Sequence, residues 1–262
     1  MGSSGDPAEE VQRRIAELGA WLDARLAIRD RLINLPLSGE RLTLRGPDRA
    51  ARERLFTTAQ ATPDRQRPYW ADIWPSGLAL GDLVLDRADT LAGTRALELG
   101  CGLGITATAA LAVGLDLTVA DYSPISLAFC RFNALRNIGR EPRSLAFNWR
   151  DPLPDVIAQI GDPPPFPLIL AADIFYETRD VAPVLALVDR LLAPDGQFWL
   201  AEPGRETARR FLKAIRAAGW QETTTRADGP WPGGQQARVT IHLLERPRVV
   251  SDRGDHHGGS CV

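Results

Sequence analysis

Apolar residues recur along this chain at two spacings, one typical of strands and one typical of helices. From residue 76 onward the two alternate, with short apolar runs at 94–99, 117–121, 144–149, 168–173 and 197–202. Such alternation is typical of βαβ units in a parallel sheet. Two more β-type runs follow at 221–227 and 237–245, joined by a short Pro- and Gly-rich turn, and are expected to pair antiparallel. The pattern predicts a doubly wound α/β sheet of seven strands, mostly parallel, with an antiparallel last strand.

The first quarter of the chain has a different pattern. Asp6 and Pro7 are typical of a helix start, and apolar residues at 11, 15, 18, 22 and 26 predict a one-faced helix that continues to about residue 33. Residues 34–67 contain a possible short strand, a helical turn and many turn formers. We therefore predict an N-terminal helical extension and cover over 1–67, a main domain over 68–246, and a disordered polar tail over 247–262.

Composition narrows the class of protein. The 262 residues have a formal net charge of −2, which gives no sign of general binding to nucleic acid or membrane surfaces. Three cysteines without a Cys/His cluster argue against a disulfide framework and a zinc site, so we expect a reducing, cytoplasmic setting and no metal. The chain has neither a long apolar stretch nor a signal-peptide core. A soluble monomer is expected.

The segment "LELGCGLG" at 97–104 places an acid and three glycines directly after the first strand of the main domain. The dinucleotide-binding fingerprint requires its third glycine at position 105, which here is Ile105, so the pattern is acid-x-GxGxG. Such a loop lets backbone approach a ligand that contains adenosine. The alternative is a tight strand-to-helix turn without a ligand.

The ends of the next two strands carry further polar and aromatic residues. Asp121 ends the second strand, where a carboxylate can accept hydrogen bonds from both ribose hydroxyls, and Tyr122 either lines an adenine or belongs to the core. The third strand ends in "FNWRD", where Asn148, Trp149 and Asp151 are candidates for contact with the adenine or for a surface turn. The choice between Asn148 and Asp151 stays open.

The fourth strand ends in "LILAADIFYE", an acid followed at once by aromatic residues. Asp173 with Phe175, Tyr176 and Glu177 is an environment suited to holding an amine, although Asp173 could instead cap a helix or form a turn. Before the sheet, "RPYWADIWPSG" places several aromatic residues in one loop, which either walls the site or anchors the N-terminal extension.

With these motifs, the chain resembles the Rossmann-like, class I (seven-β-strand) protein lysine methyltransferases that use S-adenosylmethionine. Within them it is most similar to the branch that methylates the β subunit of electron transfer flavoprotein. The likeness covers residues 68–205, in "PYWADIWPSG", "ALELGCGLGITATAA", "ADIFYE" and "AEPGR". It implies a protein partner that presents a lysine, with that β subunit as the suspected one.

The resemblance, taken with the strand ends, assigns candidate roles. The candidate catalytic residues are Asp173 and Tyr176. The candidates for substrate binding are Tyr69, Trp70, Phe175 and Glu177. The candidates for binding the cofactor are Trp74, Glu98, Gly100, Cys101, Gly102, Gly104, Asp121, Tyr122, Asn148 and Trp149. The family more often has Asp where this chain has Asn148.

Three other functions compete with a protein lysine methyltransferase. A class I methyltransferase acting on a small amine or other metabolite would have the same fold and the same cofactor site. An NAD(P)-dependent oxidoreductase is disfavoured by Ile105 and by the absence of a Tyr-x-x-x-Lys pair, since Lys213 is the only lysine. A non-catalytic module with a relic adenosine pocket is the third. For docking of a partner, we expect the turn that carries Trp231 to be used.

Overall fold

The computed structural model describes residues 6–62, 66–161 and 164–247. Its strands are β1 (Ile28–Asn34), β2 (Arg41–Pro47), β3 (Arg95–Leu99), β4 (Asp116–Asp121), β5 (Arg143–Ala146), β6 (Phe166–Ala172), β7 (Leu192–Glu202), β8 (Gln221–Asp228) and β9 (Arg238–Glu245). Its α-helices are α1 (Pro7–Asp23), α2 (Arg49–Gln60), α3 (Pro75–Asp86), α4 (Ala88–Leu91), α5 (Ile105–Ala112), α6 (Pro124–Ile138), α7 (Leu153–Ile160), α8 (Val181–Leu191) and α9 (Glu206–Ala217).

The main sheet has seven strands in the order β5-β4-β3-β6-β7-β9-β8. β9 runs antiparallel to both of its neighbours, whereas the pairs from β5 to β7 are parallel. This confirms the predicted α/β fold with its antiparallel last strand. The connections reverse direction next to β3, and in open sheets of this kind ligands bind at the carboxyl ends of the strands beside such a reversal.

Two hydrophobic cores cover the two faces of the sheet. In β3 and β6, Ala96 and Leu168 belong to the core that includes α3, α5 and α6, whereas Leu97 and Ile169 belong to the core that includes α8 and α9. Successive side chains of a strand point to opposite faces, so a strand buried on both sides is apolar nearly throughout. Polar groups therefore stand out mainly where the strands end.

Capping residues mark the start of α1 and both ends of α6. The Asp6 carboxylate accepts a hydrogen bond from Ala8 N at 3.0 Å, and the Ser123 hydroxyl accepts one from Ser126 N at 3.3 Å. Gly139 ends α6 with a φ of 70°, in the left-handed region that favours glycine. α1 thus begins at the predicted Pro7, and α6 begins at Pro124, directly after its capping serine.

The N-terminal segment differs from the prediction. α1 ends at Asp23 rather than near residue 33, and residues 28–34 form β1, which pairs antiparallel with β2. Leu42 and Leu44 of β2 are buried, and β2 packs on α6, so long-range burial outweighs the local helical pattern.

The free edge of β2 is paired by side chains of α6 instead of by another strand. Asn133 Oδ1 accepts from Arg45 N at 2.7 Å, and its Nδ2 donates to Arg45 O and Leu103 O, both at 2.9 Å. One turn later, Asn137 bonds in the same way to the backbone N and O of Thr43. Two amides one helical turn apart thus tie the hairpin to the main domain.

Two further predictions concern the C-terminal part of the chain, namely the turn that carries Trp231 and the polar tail. Trp231, in the turn proposed for docking, is buried and donates its Nε1 hydrogen to Ala237 O at 2.6 Å, so its ring is not exposed to a partner, whereas docking at the turn itself stays a prediction. The tail predicted over 247–262 lies, from residue 248 onward, outside the described residues. No described helix is both long enough and apolar enough to cross a membrane.

We predict that Asn133→Ala lowers the free energy of unfolding by about 2 to 4 kcal/mol, because it leaves three buried or half-buried backbone groups without a partner. Urea unfolding followed by circular dichroism measures this. The exposed Asn34 on β1 is the matched control, and Asn34→Ala is expected to change the stability by less than about 0.5 kcal/mol. Equal effects of the two substitutions would contradict the role given to Asn133.

Candidate functional site

A cavity opens at the carboxyl ends of β3, β4 and β6, beneath the loop that precedes α3. It brings together most of the residues predicted for the site: Tyr69, Trp70, Trp74, Glu98, Gly100, Cys101, Gly102, Asp121, Tyr122, Trp149, Asp173 and Tyr176. Gly104, Asn148, Phe175 and Glu177 are absent from the described residues that line it. The convergence follows from the parallel sheet, since its strand ends meet at one edge.

The glycines of the loop after β3 serve two different purposes. A Cβ on Gly100, whose φ is 71°, would lie 2.9 Å from Ile174 Cγ2 at the cavity wall. A Cβ on Gly104, whose φ is 83°, would lie 2.7 Å from the Cα of Cys130 on α6. Gly104 is therefore required for the packing of α5 against α6, and its contact with a cofactor stays a prediction.

Glu98 is a buried carboxyl group inside the central strand. Burial raises its pKa to about 8, the nearby Asp121 adds to the shift, and a hydrogen bond with Thr106 opposes it. No described residue is a hydrogen-bond partner of its Oε2. A buried acceptor without a partner is costly, and an ammonium group in the cavity would supply the missing donor. The site thus fits a ligand with an amino group at this point.

Asp121 is held rigidly at the end of β4. Its Oδ2 accepts from Gly102 N at 3.2 Å and from the Ser126 hydroxyl at 2.8 Å, and its Oδ1 accepts from Ser123 N at 3.0 Å. Burial raises the pKa of Asp121, while these hydrogen bonds oppose the shift. An ionised carboxylate has about four lone-pair positions, so capacity remains for a hydroxyl of a ligand.

The end of β5 departs from the prediction. β5 stops at Ala146, and the chain then turns, with Asn148 Oδ1 accepting from Arg150 N at 3.0 Å and its carbonyl accepting from Asp151 N. Neither Asn148 nor Asp151 lines the cavity, so neither of the two alternatives for reading an adenine is placed there. The ring of Trp149 does line it and donates its Nε1 hydrogen to Asp180 Oδ1 at 3.0 Å.

Asp173, directly after β6, has an unusual backbone conformation, and its carboxylate is held by an arginine. Its φ of 53° is positive, which no other described non-glycine residue shows. The guanidinium of Arg205 binds its carboxylate with two hydrogen bonds, Nε to Oδ1 at 2.6 Å and Nη2 to Oδ2 at 3.0 Å. Burial raises the pKa of Asp173, and Arg205 opposes that shift. The predicted amine-binding acid is thus already paired.

Three aromatic rings surround this ion pair. Tyr69 and Tyr176 stack with their centroids 3.7 Å apart, and Trp74 lies 5.6 Å from Tyr176 and donates its Nε1 hydrogen to Tyr69 O. The Arg205 guanidinium carbon lies 4.5 Å from the centroid of the Tyr176 ring. The loop before α3 therefore forms a wall of the cavity, and Trp70, packed on Phe129, anchors it to the domain.

Two neighbours of Asp173 have structural roles instead of the predicted contact with substrate. Phe175 is buried against Phe211, 4.6 Å away, in the core beneath α9. Glu177 forms a reciprocal cap with Asp180 and an ion pair with Arg150 at 3.0 Å. Neither side chain lines the cavity, whereas Asp173, Ile174 and Tyr176 beside them do, so the structure does not place Phe175 and Glu177 where the substrate contact was predicted.

No role was predicted for Arg205 from the sequence. It lies in "AEPGR", where Glu202 Oε2 accepts from Gly204 N at 2.6 Å and from Arg205 N at 2.9 Å and so fixes the loop that presents the guanidinium. Burial alone would raise the pKa of Glu202, but hydrogen bonds from His242 and from these two backbone groups hold it below its usual range. Glu202 and Gly204 of this motif were the sequence features from which a role for Arg205 could have been predicted.

We predict that Glu98→Gln stabilises the ligand-free protein in a pH-dependent way. The pKa of Glu98 is about 8 in the folded protein against a usual value of 4.5, so the wild type loses stability as pH rises between these values. The free energy of unfolding of the variant, relative to that of the wild type, should therefore increase by roughly 3 to 5 kcal/mol across this interval. Urea unfolding of both proteins at intervals between about pH 4.5 and 8.5 measures this, and a constant difference would refute it.

The chain has relatives among known methyltransferases. Residues 97–198 match a family described as a methyltransferase domain. The electron transfer flavoprotein beta subunit lysine methyltransferase of Danio rerio is 36% identical over 113 residues, which cover 42% of this chain and 40% of that protein. The histone-arginine methyltransferase METTL23 of Xenopus laevis is 29% identical over 136 residues, 50% of this chain and 56% of that protein. The chain spans about half the length of the curated relatives it matches.

The fold has a counterpart among solved structures. The N-methyltransferase NodS from Bradyrhizobium japonicum WM9, in complex with S-adenosyl-l-homocysteine, superposes with a TM-score of 0.52 at 18% identity over 75% of this chain and 99% of that one. At this level of identity the likeness shows the fold. Residues 97–198 thus match the model of a methyltransferase domain, the chain has the fold of this solved methyltransferase, and its sequence is similar to protein lysine methyltransferases.

Proposed function

We propose that this protein transfers methyl groups from S-adenosylmethionine to lysine side chains of a protein substrate. The observation that carries the proposal is one cavity with two chemically distinct ends. At one end lies the buried Glu98 carboxyl, whose Oε2 has no partner among the described residues, and at the other lies Asp173 among aromatic rings that already hold a cation. The first end suits the amino group of the donor, and the second suits an amine that receives the methyl.

The residues of the first end would hold the cofactor. Glu98 would accept from its ammonium, Gly100 and Gly102 would allow the backbone to approach, Asp121 would bind the ribose hydroxyls, and the Trp149 ring would pack on the adenine. When bound, S-adenosylmethionine supplies a methyl group on a sulfonium, which is an excellent leaving group. Binding and orientation are then what this chain contributes to the reaction.

At the second end, the acceptor amine must be neutral to act as a nucleophile. A free lysine has a pKa of about 10.4, and the rings of Tyr69, Trp74 and Tyr176 create an apolar channel that disfavours the ammonium. The Asp173 carboxylate orients the amine and takes its proton, which its raised pKa favours. Arg205, bound to both Asp173 oxygens, keeps that carboxylate in place.

The relatives favour a protein over a small amine as the acceptor. The names of the Danio rerio and Xenopus laevis proteins each specify a protein substrate. For this chain we propose a protein that presents a lysine, with the electron transfer flavoprotein β subunit as the first candidate. The free thiols of Cys101 and Cys130 support a reducing, cytoplasmic setting, and we propose a monomer.

The proposal predicts that the purified protein transfers a labelled methyl group to lysine in a discrete protein band of a cell lysate. The assay uses Lys213→Arg, because Lys213 is exposed and is the single lysine of the chain, so every methyl-lysine then comes from the substrate. Mass spectrometry identifies the modified residue. Label on arginine or in the small-molecule fraction would overturn the lysine assignment, and no transfer despite cofactor binding would overturn the enzymatic one.

A second prediction concerns Asp173. We expect Asp173→Asn to lower turnover at least about 100-fold, because the amide cannot take the amine proton, while the Kd for the cofactor changes only a few-fold. Calorimetry with S-adenosylmethionine also reports whether the variant is folded. Asp151→Asn, in the exposed turn after β5, is the control and should retain full turnover. Normal turnover in Asp173→Asn, or loss of cofactor binding, would contradict the role.

A further inference from the structure

A second groove lies on the other side of the wall formed by the loop before α3. It has a volume of about 760 Å³ and runs between β1, residues 72–74 and the turn at Pro232–Gly234. Asp72 and Trp74 line both this groove and the cavity described above. The groove therefore borders the acceptor end of the site, where Trp74 contacts Tyr176.

The groove has an excess of positive charge. Its two acids are neutralised, because Asp30 pairs with Arg45 at 3.0 Å and Arg136 at 2.7 Å, and Asp72 pairs with Arg52 at 2.7 Å. The remaining arginines, Arg29 and Arg31 on β1, form no ion pair with any residue that the structure describes. Two unpaired guanidinium groups thus face a groove without a free carboxylate.

Arg31 also lacks hydrogen-bond partners. Its Nε and Nη2 are shielded from water, and no described residue accepts from them. These two atoms are the same pair that Arg205 uses to bind both oxygens of Asp173. Buried donors without acceptors are destabilising, and the side chain keeps an uncompensated positive charge in the lining of the groove. The unsatisfied state of Arg31 favours an anionic occupant.

The rim of the groove combines this charge with apolar surface. Leu32 is 58% exposed and, together with Leu37, is one of the two large apolar side chains that are exposed within the described residues. Ile73 and Pro232 line the same groove. Apolar surface beside unpaired arginines matches a polypeptide segment that carries both acidic and apolar side chains.

We propose that this groove docks an acidic segment of the protein substrate, next to the side chain that receives the methyl group. The proposal rests on the proposed function and adds to it the kind of sequence that is selected. The carboxylates of the segment pair with Arg29 and Arg31, and its apolar residues cover Leu32. A chain passing from the groove around Trp74 then reaches Asp173 and Tyr176.

The test uses three synthetic peptides, each with one central lysine. In the acidic peptide the flanking residues are Asp, Glu and Leu, in the neutral peptide they are Ser and Leu, and in the basic peptide they are Arg and Leu. The enzymes are the wild type, Arg29→Glu and Arg41→Glu. Arg29 is exposed and lines the groove, whereas Arg41 is exposed on the neighbouring strand β2 and does not line it, so the two variants change the net charge equally. We measure kcat/KM for methyl transfer and, separately, the Kd of each fluorescently labelled peptide without cofactor.

The wild type should prefer the acidic peptide in both readouts. Arg29→Glu should lower kcat/KM and affinity for that peptide about fivefold to tenfold at low salt, less at high salt, and Arg41→Glu should lower neither by more than about twofold. Equal affinity for the three peptides, or equal effects of the two variants, would overturn the docking proposal. Selective binding without transfer to any peptide or lysate protein would instead support the groove and overturn the proposed function.

Discussion

Burial of the central strands on both faces is the constraint on which the rest of this protein depends. Residues 96–99 and 168–171 alternate between two hydrophobic cores, so the positions of these two runs are apolar apart from one. Glu98 is the exception, since it is a carboxyl group 2% exposed within β3. Burial raises its pKa because the fold disfavours its charge, and a buried carboxyl oxygen without a partner marks the place where a ligand is expected.

A half-buried ion pair organises the part of the cavity beyond β6. Asp173 and Arg205 come from the ends of neighbouring strands β6 and β7, and their two hydrogen bonds fix both loops relative to each other. The pair also neutralises a charge that the aromatic surroundings would otherwise isolate. In the proposed reaction, a guanidinium at this position provides positive charge without being an amine that competes for the methyl group.

The N-terminal hairpin links the two proposed surfaces. It is tied to α6 by Asn133 and Asn137, and α6 in turn contributes Ser126, which donates a hydrogen bond to Asp121. The position of the basic groove relative to the cavity is thus determined by hydrogen bonds and packing rather than by a flexible linker. A substrate bound along the hairpin would present its side chain to a fixed point.

The sequence by itself determined the seven-stranded sheet, the capped helices and most of the residues that line the cavity. Those features depend on local rules, namely alternation within strands, capping at helix ends, and the convergence of parallel strand ends at one edge. Only the tertiary structure decided that residues 28–34 form a strand, that Gly104 packs on Cys130, that Asn148 turns away, and that Arg205 pairs with Asp173. Each of these depends on contact between segments distant in the chain, and burial against a distant partner outweighs the weaker preferences that neighbouring residues express.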